Sequence, residues 1–473
     1  MSVLFPRTPS FSGVNKPVRM EVDLFELEYE GEIPAVVEGA MYRCGPDPQL
    51  PPLLDDDIFI NGDGQVSMFR FQDGHVDFKL RYVRTDKFVA ERKARRALFG
   101  AYRNPYTDDK AAAGMDRTTA NTALMWNAGR LYALKEDGLP YEMDPLTLET
   151  RGKTNFGGSL KSRTFTAHPK KDPVSGEMIF NGYAARGEAT NAIAYGAVDA
   201  QGNLVSEHWF EAPYASMIHD FAITENYLVF PIMPVVSDLD RLKAGGSHWA
   251  WDGTRKTYVG IVPRDGKPED MRYFEGPAAW SFHTLNAFEE EGKIHLDLTV
   301  GDRVGFPDIP DLSGAPFDPK KVGSYLTRWT FDLASNRVDF DSRRLWDRPA
   351  DFFEMDPRYV GRPNRYGFMA AKAQDMVFNL LAKIDHQSGE VSAYYVGDGA
   401  STQEPVFVPR SDDAPEGDGY LLGVVNLRAE NRAELVILDT ANITGDPVCR
   451  VHVPMPLRMT FHSEFVPTLE LPD

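Results

Sequence analysis

Residues 218–233 read IHDFAITENYLVFPIM: a histidine, an apolar run that alternates with polar residues, a turn at Thr224-Glu225-Asn226, and a second apolar run. Alternation with a period of two marks half-buried strands, and a short polar turn between two such runs marks a hairpin. The same phrase recurs as LMWNAGRLYALKEDGLPYEMDP from Leu124, FTAHPKKDPVSGEMIFNGYA from Phe165, HTLNAFEEEGKIHLDLTVGD from His283 and RWTFDLASNRVDFDSRRLW from Arg328. Two further copies start at Asn379 and Gly419. Repeated hairpins that cannot each bury their own apolar face must stack on their neighbours. The pattern predicts an all-β fold, a seven-bladed β-propeller formed as one domain over residues 1–473. Long inter-blade loops such as 306–321, together with short helices, are expected to gather as a lid over the propeller axis.

Composition agrees with many short strands. The chain has 473 residues, too many for one ordinary core unless it is built from repeats, and its 39 glycines and 34 prolines are scattered in turn clusters rather than gathered in a linker. With 51 basic and 70 acidic residues the formal net charge is -19, which repels a phosphate backbone, so nucleic acid is not an expected partner. Cys44 and Cys449 are the only cysteines and form no Cys-x-x-Cys pair, which fits a reducing, cytoplasmic setting. No apolar leader and no run of 18 apolar residues is seen, so a soluble protein without an integral membrane segment, monomeric or homodimeric, is expected. The basic stretch 91–99, ERKARRALF, reads as a solvated surface helix, with an amphipathic helix resting on a membrane as the alternative.

Ten histidines are present. His75 and His386 fall in polar turns, His295 shares the polar face of a strand with Asp297, and His208, His248 and His452 lack a repeated context, so all six read as structural. The remaining four share a position. His219 and His283 open hairpins in the same phase, His168 precedes a similar one, and His462 closes the last strand as TFHSEFVP. Equivalent positions on the innermost strands of different blades converge on one axis, and imidazoles alone suit iron, copper or zinc. A ligating imidazole normally donates its other N–H to a carboxylate or carbonyl, and Glu136, Glu354 and Glu404 stand where inner strands end.

These motifs resemble those of the carotenoid cleavage oxygenases along nearly the whole chain. The resemblance rests on YRCGPDPQ from Tyr42, INGDGQVSMFRF from Ile60, TANTALMWNAGRLYALKEDGLPYEMDP from Thr119, the four histidine contexts, EMDPRYVGRPNRYGF from Glu354, EPVFVPR from Glu404 and the terminal FHSEF. It implies one Fe(II) per chain held by His168, His219, His283 and His462, O2 as co-substrate, Glu136, Glu354 and Glu404 orienting three of the histidines, and Thr122 approaching an open coordination position. FHSEF departs from the usual Phe-His-Gly ending, with Ser463 in the glycine's place.

Within that family the stilbene-cleaving bacterial branch is the most similar. Lys135 and Tyr102 match its phenol-contacting pair and Phe59 a ring-stacking position, which implies a small phenolic substrate. An ammonium and a tyrosine hydroxyl both hydrogen-bond a phenolic oxygen, and the ammonium favours its ionised form. Lys135 and Glu136 are adjacent, so both reach one site only if the strand ends or bulges near Asp137-Gly138. The resemblance implies cleavage of the interphenyl C=C bond of a 4-hydroxystilbene such as resveratrol or lignostilbene into two aromatic aldehydes. The alternatives are the same chemistry on isoeugenol or 4-vinylguaiacol to give vanillin, with the cavity shortened by Phe282, Phe306 and the 306–321 insertion, cleavage of an apocarotenoid, or a scaffold without chemistry.

Overall fold

The structure, a computed structural model, describes residues 4–373 and 377–472. Its strands pair antiparallel with chain neighbours, sheet after sheet. The first sheet is completed by the last strand: fully buried Gly39–Pro46 lies between Gly64–Gln72 on one side and Ser463–Pro467 on the other. Tyr29–Gly31 in turn joins the last sheet, beside Cys449–Val453. Both ends of the chain thus close the ring, each terminal segment completing a sheet built mainly from the opposite end of the chain.

Apolar packing follows the same circle. Tyr42 and Val66 of the first sheet meet Trp126 and Tyr141 of the second; Tyr132 and Leu134 of the second meet Phe165 and Phe180 of the third. One large cluster then carries Tyr195, Phe230, Phe274 and Trp329 across the third sheet and the next two. Leu326 meets Met369, Phe368 meets Phe407, and Leu422 and Val451 return to Phe69 and Phe78. The fold is an all-β propeller. The hairpin count does not map one to one onto sheets, however: among the described residues there are six sheets of four to seven strands and a two-stranded ribbon. The cause is the long strand Asp341–Glu354, whose first part pairs with Tyr325–Asp332 and whose second pairs with Tyr366–Lys372, so that the hairpin copies from His283, Arg328 and Asn379 share one seven-stranded sheet.

The two α-helices among the described residues are Asp86–Ala94 and Leu239–Lys243. The first starts five residues before the basic stretch read from sequence, where the Thr85 hydroxyl accepts the Phe88 N–H, and stops at Ala94, followed by Arg95 at φ 56°. Its anchoring face turns inward. Buried Lys87 pairs with Asp63 at 3.0 Å and Glu91 at 2.7 Å, and Glu91 accepts the N–H groups of Leu98 and Phe99. Leu98 and Phe99, the apolar residues a membrane face would need, are buried in the protein. No helix of the described residues is long and apolar enough to cross a membrane. Cys44 and Cys449 are both buried and free.

Candidate metal centre and adjoining cavity

Each of the four histidines lies just ahead of a strand: His168 before Lys170–Lys171, His219 before Ala222–Ile223, His283 before Thr284–Glu290 and His462 before Ser463–Pro467. His462 therefore opens the final strand rather than closing it. The four offer one ligand atom each within 4.8 Å of one another. His219 Nε2 stands 3.1 Å from His168 Nε2 and 3.3 Å from His283 Nε2, and the His168 and His462 rings are perpendicular at 4.4 Å. Burial, reinforced by the neighbouring imidazoles, pushes His168 well down and His283 down; burial, His219 and Lys170 bring His462 to about 3. Buried imidazole nitrogens that converge on one point carry a desolvation cost that a metal cation between them removes. The donor set fits a metal held by nitrogen alone.

Three of the four rings are backed by carboxylates. Glu136 Oε1 lies 3.2 Å from His219 Nδ1, Glu404 Oε1 2.8 Å from His462 Nδ1, and Asp351 Oδ1 2.7 Å from His283 Nδ1. Burial would raise Glu136, but the adjoining His219 and Arg103 outweigh it and hold the carboxyl well below the usual range. Glu404 also accepts the Ser463 backbone N–H at 2.6 Å, a bond any residue supplies, so serine replaces glycine there without disturbing His462.

Glu354 differs from its expected role. It meets no histidine; its carboxyl accepts the N–H of Met355, and burial beside Glu404 raises it well above the carboxylate range. The reason is a bulge. Phe352 has φ 56°, and the pairing with Tyr366–Lys372 slips between Asp351 and Phe353, which turns Asp351 toward His283. Phe352 itself packs on His283 at 5.6 Å and His462 at 5.8 Å. Asp351→Asn is expected to weaken metal binding about 10- to 100-fold, the usual cost of losing a ligand's carboxylate partner, whereas Glu354→Gln leaves it within about twofold. Competition with a chelator measures both; equal effects would contradict this pairing.

Beside the histidines opens a cavity of about 570 Å³. It is lined by Phe59, Tyr102, Thr122, Lys135, Phe282 and Phe306 among others, so every cavity residue expected from sequence reaches it. The conflict between Lys135 and Glu136 is resolved because strand Arg130–Leu134 ends before them and the chain turns, Gly138 N–H donating to Lys135 O at 3.3 Å. Lys135 Nζ lies 5.0 Å from the Tyr102 ring centre. Burial, with Glu136 next, keeps the Tyr102 hydroxyl protonated far beyond its ordinary range, so it is a donor at any working pH. Thr122 donates its hydroxyl to Asn121 and its N–H to Leu134 O. The aromatic lining is continuous: Phe282 sits 5.3 Å from His219 and 6.0 Å from Phe306, which lies 6.1 Å from Phe59.

Sequence reasoning missed Arg103 and Asp137. Arg103, at φ 55°, donates to the Tyr183 hydroxyl at 2.6 Å and lies 3.9 Å from Glu136. Two histidines set aside as structural are held in ways the sequence did not indicate: His248 Nδ1 meets Arg103 O at 2.7 Å, and His386, read as a solvated turn, has a side chain only 6% exposed beside Asp297.

Residues 15–467 match the family model of the retinal pigment epithelial membrane protein, RPE65. The chain belongs to the RPE65/carotenoid cleavage oxygenase family. Among characterised members of this family it is 46% identical to an isoeugenol monooxygenase of Pseudomonas nitroreducens, over 99% of this chain and 100% of that one. It is 45% identical to lignostilbene-alpha,beta-dioxygenase isozyme III of Sphingomonas paucimobilis, over 99% of each. The crystal structure of Pseudomonas brassicacearum lignostilbene dioxygenase matches with a TM-score of 0.96 at 44% identity, covering 98% of this chain and 100% of that one. As a member of the carotenoid cleavage oxygenase family at this level of similarity, the chain is an alkene-cleaving oxygenase.

Proposed function

We propose that this oxygenase binds one Fe(II) on His168, His219, His283 and His462 and, with O2 as co-substrate, cleaves the C=C bond joining the two aryl rings of a 4-hydroxystilbene into two aromatic aldehydes. The observation that carries the reading is the placing of Lys135 and Tyr102 on the wall of the same cavity as His219, His283 and His462, with an aromatic lining that exceeds what one phenol ring covers. Iron bound there supplies the one-electron chemistry that O2 requires of a closed-shell substrate. The remaining steps belong to the protein. The Lys135 ammonium and Tyr102 hydroxyl donate to the 4-oxygen, and the ammonium lowers the phenol's pKa. Electron density of the ionised oxygen then reaches the conjugated alkene. Phe59, Phe282 and Phe306 hold the rings and keep water away.

A one-ring phenylpropenoid such as isoeugenol is the second reading, favoured by the 46% identity to an isoeugenol monooxygenase. Both substrates use the same phenol contacts and differ in whether a second ring fills the cavity. Purified protein loaded with Fe(II) in air decides between them through kcat/KM for resveratrol and isoeugenol. We expect the stilbene to be preferred about tenfold or more, the discrimination an apolar pocket gives a well-fitted group. A reversed ratio would favour the one-ring substrate, and no aldehyde from either would overturn the proposal.

A further inference from the structure

The turn that follows strand Arg130–Leu134 holds four residues with separable duties. Lys135 faces the cavity and Glu136 meets His219. Asp137 Oδ2 lies 2.8 Å from Lys135 Nζ, in a pair whose side chains are 7% and 3% exposed, and its other oxygen accepts the Thr118 hydroxyl at 2.7 Å. Gly138 makes room for that threonine: a Cβ at this position would lie 2.6 Å from Thr118 Cβ. We infer that Asp137 is a positioning residue for the phenolic substrate: anchored by Thr118, it keeps the Lys135 ammonium charged and aimed at the 4-oxygen. This rests on the phenol-binding role proposed for Lys135.

The charged groups around Lys135 leave this duty to Asp137. Facing it are Glu136 and Asp137 from its own turn, and Tyr102 and Arg103 from the neighbouring loop; Glu188 adds its field to Asp137 and Arg103. Glu136 is committed to His219 and stands 3.9 Å from Arg103, whose guanidinium bonds Tyr183. That leaves Asp137 as the carboxylate in contact with Lys135. A buried ammonium without a counter-ion gives up its proton, and a neutral amine no longer favours a phenolate. Burial already draws Lys135 below its ordinary value, with Asp137 working against that pull. Asp137 stays ionised, since burial, which would raise it, is outweighed by Lys135 and Arg103.

The test is the pH profile of kcat/KM for the iron-loaded enzyme on a 4-hydroxystilbene, comparing wild type with Asp137→Asn, which keeps an acceptor for Thr118 and removes the charge. The alkaline limb, where Lys135 loses its proton, should move down by about one pH unit or more, so that the loss is roughly tenfold greater at high pH than at neutral pH. Thr118→Val, which leaves the carboxylate in place, should shift the limb in the same direction by less. In a Lys135→Met background, Asp137→Asn should change kcat/KM by less than about twofold, since a residue that acts through Lys135 has nothing left to act on. An unmoved limb, or a loss that multiplies fully with Lys135→Met, would overturn the inference. If wild type cleaves no hydroxystilbene, the phenol reading itself is what fails.

Discussion

Lys135→Met is expected to lower kcat/KM for a 4-hydroxystilbene by roughly two orders of magnitude while iron stays at one per chain. The ammonium is buried and shares the cavity with His219, His283 and His462, so the hydrogen bond proposed from it to the 4-oxygen would be charge-assisted and little screened by water. Losing such a bond costs about 1.5–3 kcal/mol, and each 1.4 kcal/mol is a factor of ten. The upper end applies because the contact favours the ionised oxygen and so strengthens as electron density moves toward the alkene. Methionine has similar length and removes the charge, so packing beside Tyr102 is kept. Tyr102→Phe, which deletes a neutral donor, should cost roughly tenfold. Steady-state rates with parallel iron analysis check both; full activity in Lys135→Met would remove the basis for assigning phenolic substrates.

His219→Ala should abolish metal retention and activity together. His219 stands at 3.1 and 3.3 Å from two of the other ligand nitrogens and is the one backed by Glu136, so its loss takes away a ligand and strands a buried carboxylate. Thermal melts with and without Fe(II) separate binding from turnover. A metal present at a hundredfold over its Kd stabilises the folded protein by about 2.7 kcal/mol. Wild type should therefore melt higher with Fe(II), and His219→Ala should melt at the same temperature in both conditions. A variant that still gains stability from Fe(II) would place the metal elsewhere.

The hairpin phrase carried most of the fold because alternation and turn chemistry are local. Histidines at equivalent places ahead of inner strands converge in any closed ring of such hairpins, which is why the quartet is legible without structure. What escaped the sequence depends on backbone departures from regular geometry. Asp351 reaches His283 only because Phe352 adopts a left-handed conformation and shifts the register, whereas the sequence shows only that Glu354 stands where a strand ends. Arg103 likewise sits at positive φ, with a partner, Glu136, that is distant in sequence. The joining of successive hairpins through Asp341–Glu354 shows no turn signal to count, and the helix begins at the Thr85 cap, ahead of the basic run 91–99 that the sequence reading rested on.

X-ray absorption at the iron edge, on protein reconstituted with Fe(II) without air, tests the central claim most directly. Four imidazole nitrogens in the first shell, with no sulfur and no protein carboxylate, is the result predicted for a metal held by His168, His219, His283 and His462. A carboxylate-bound or substoichiometric iron would contradict it.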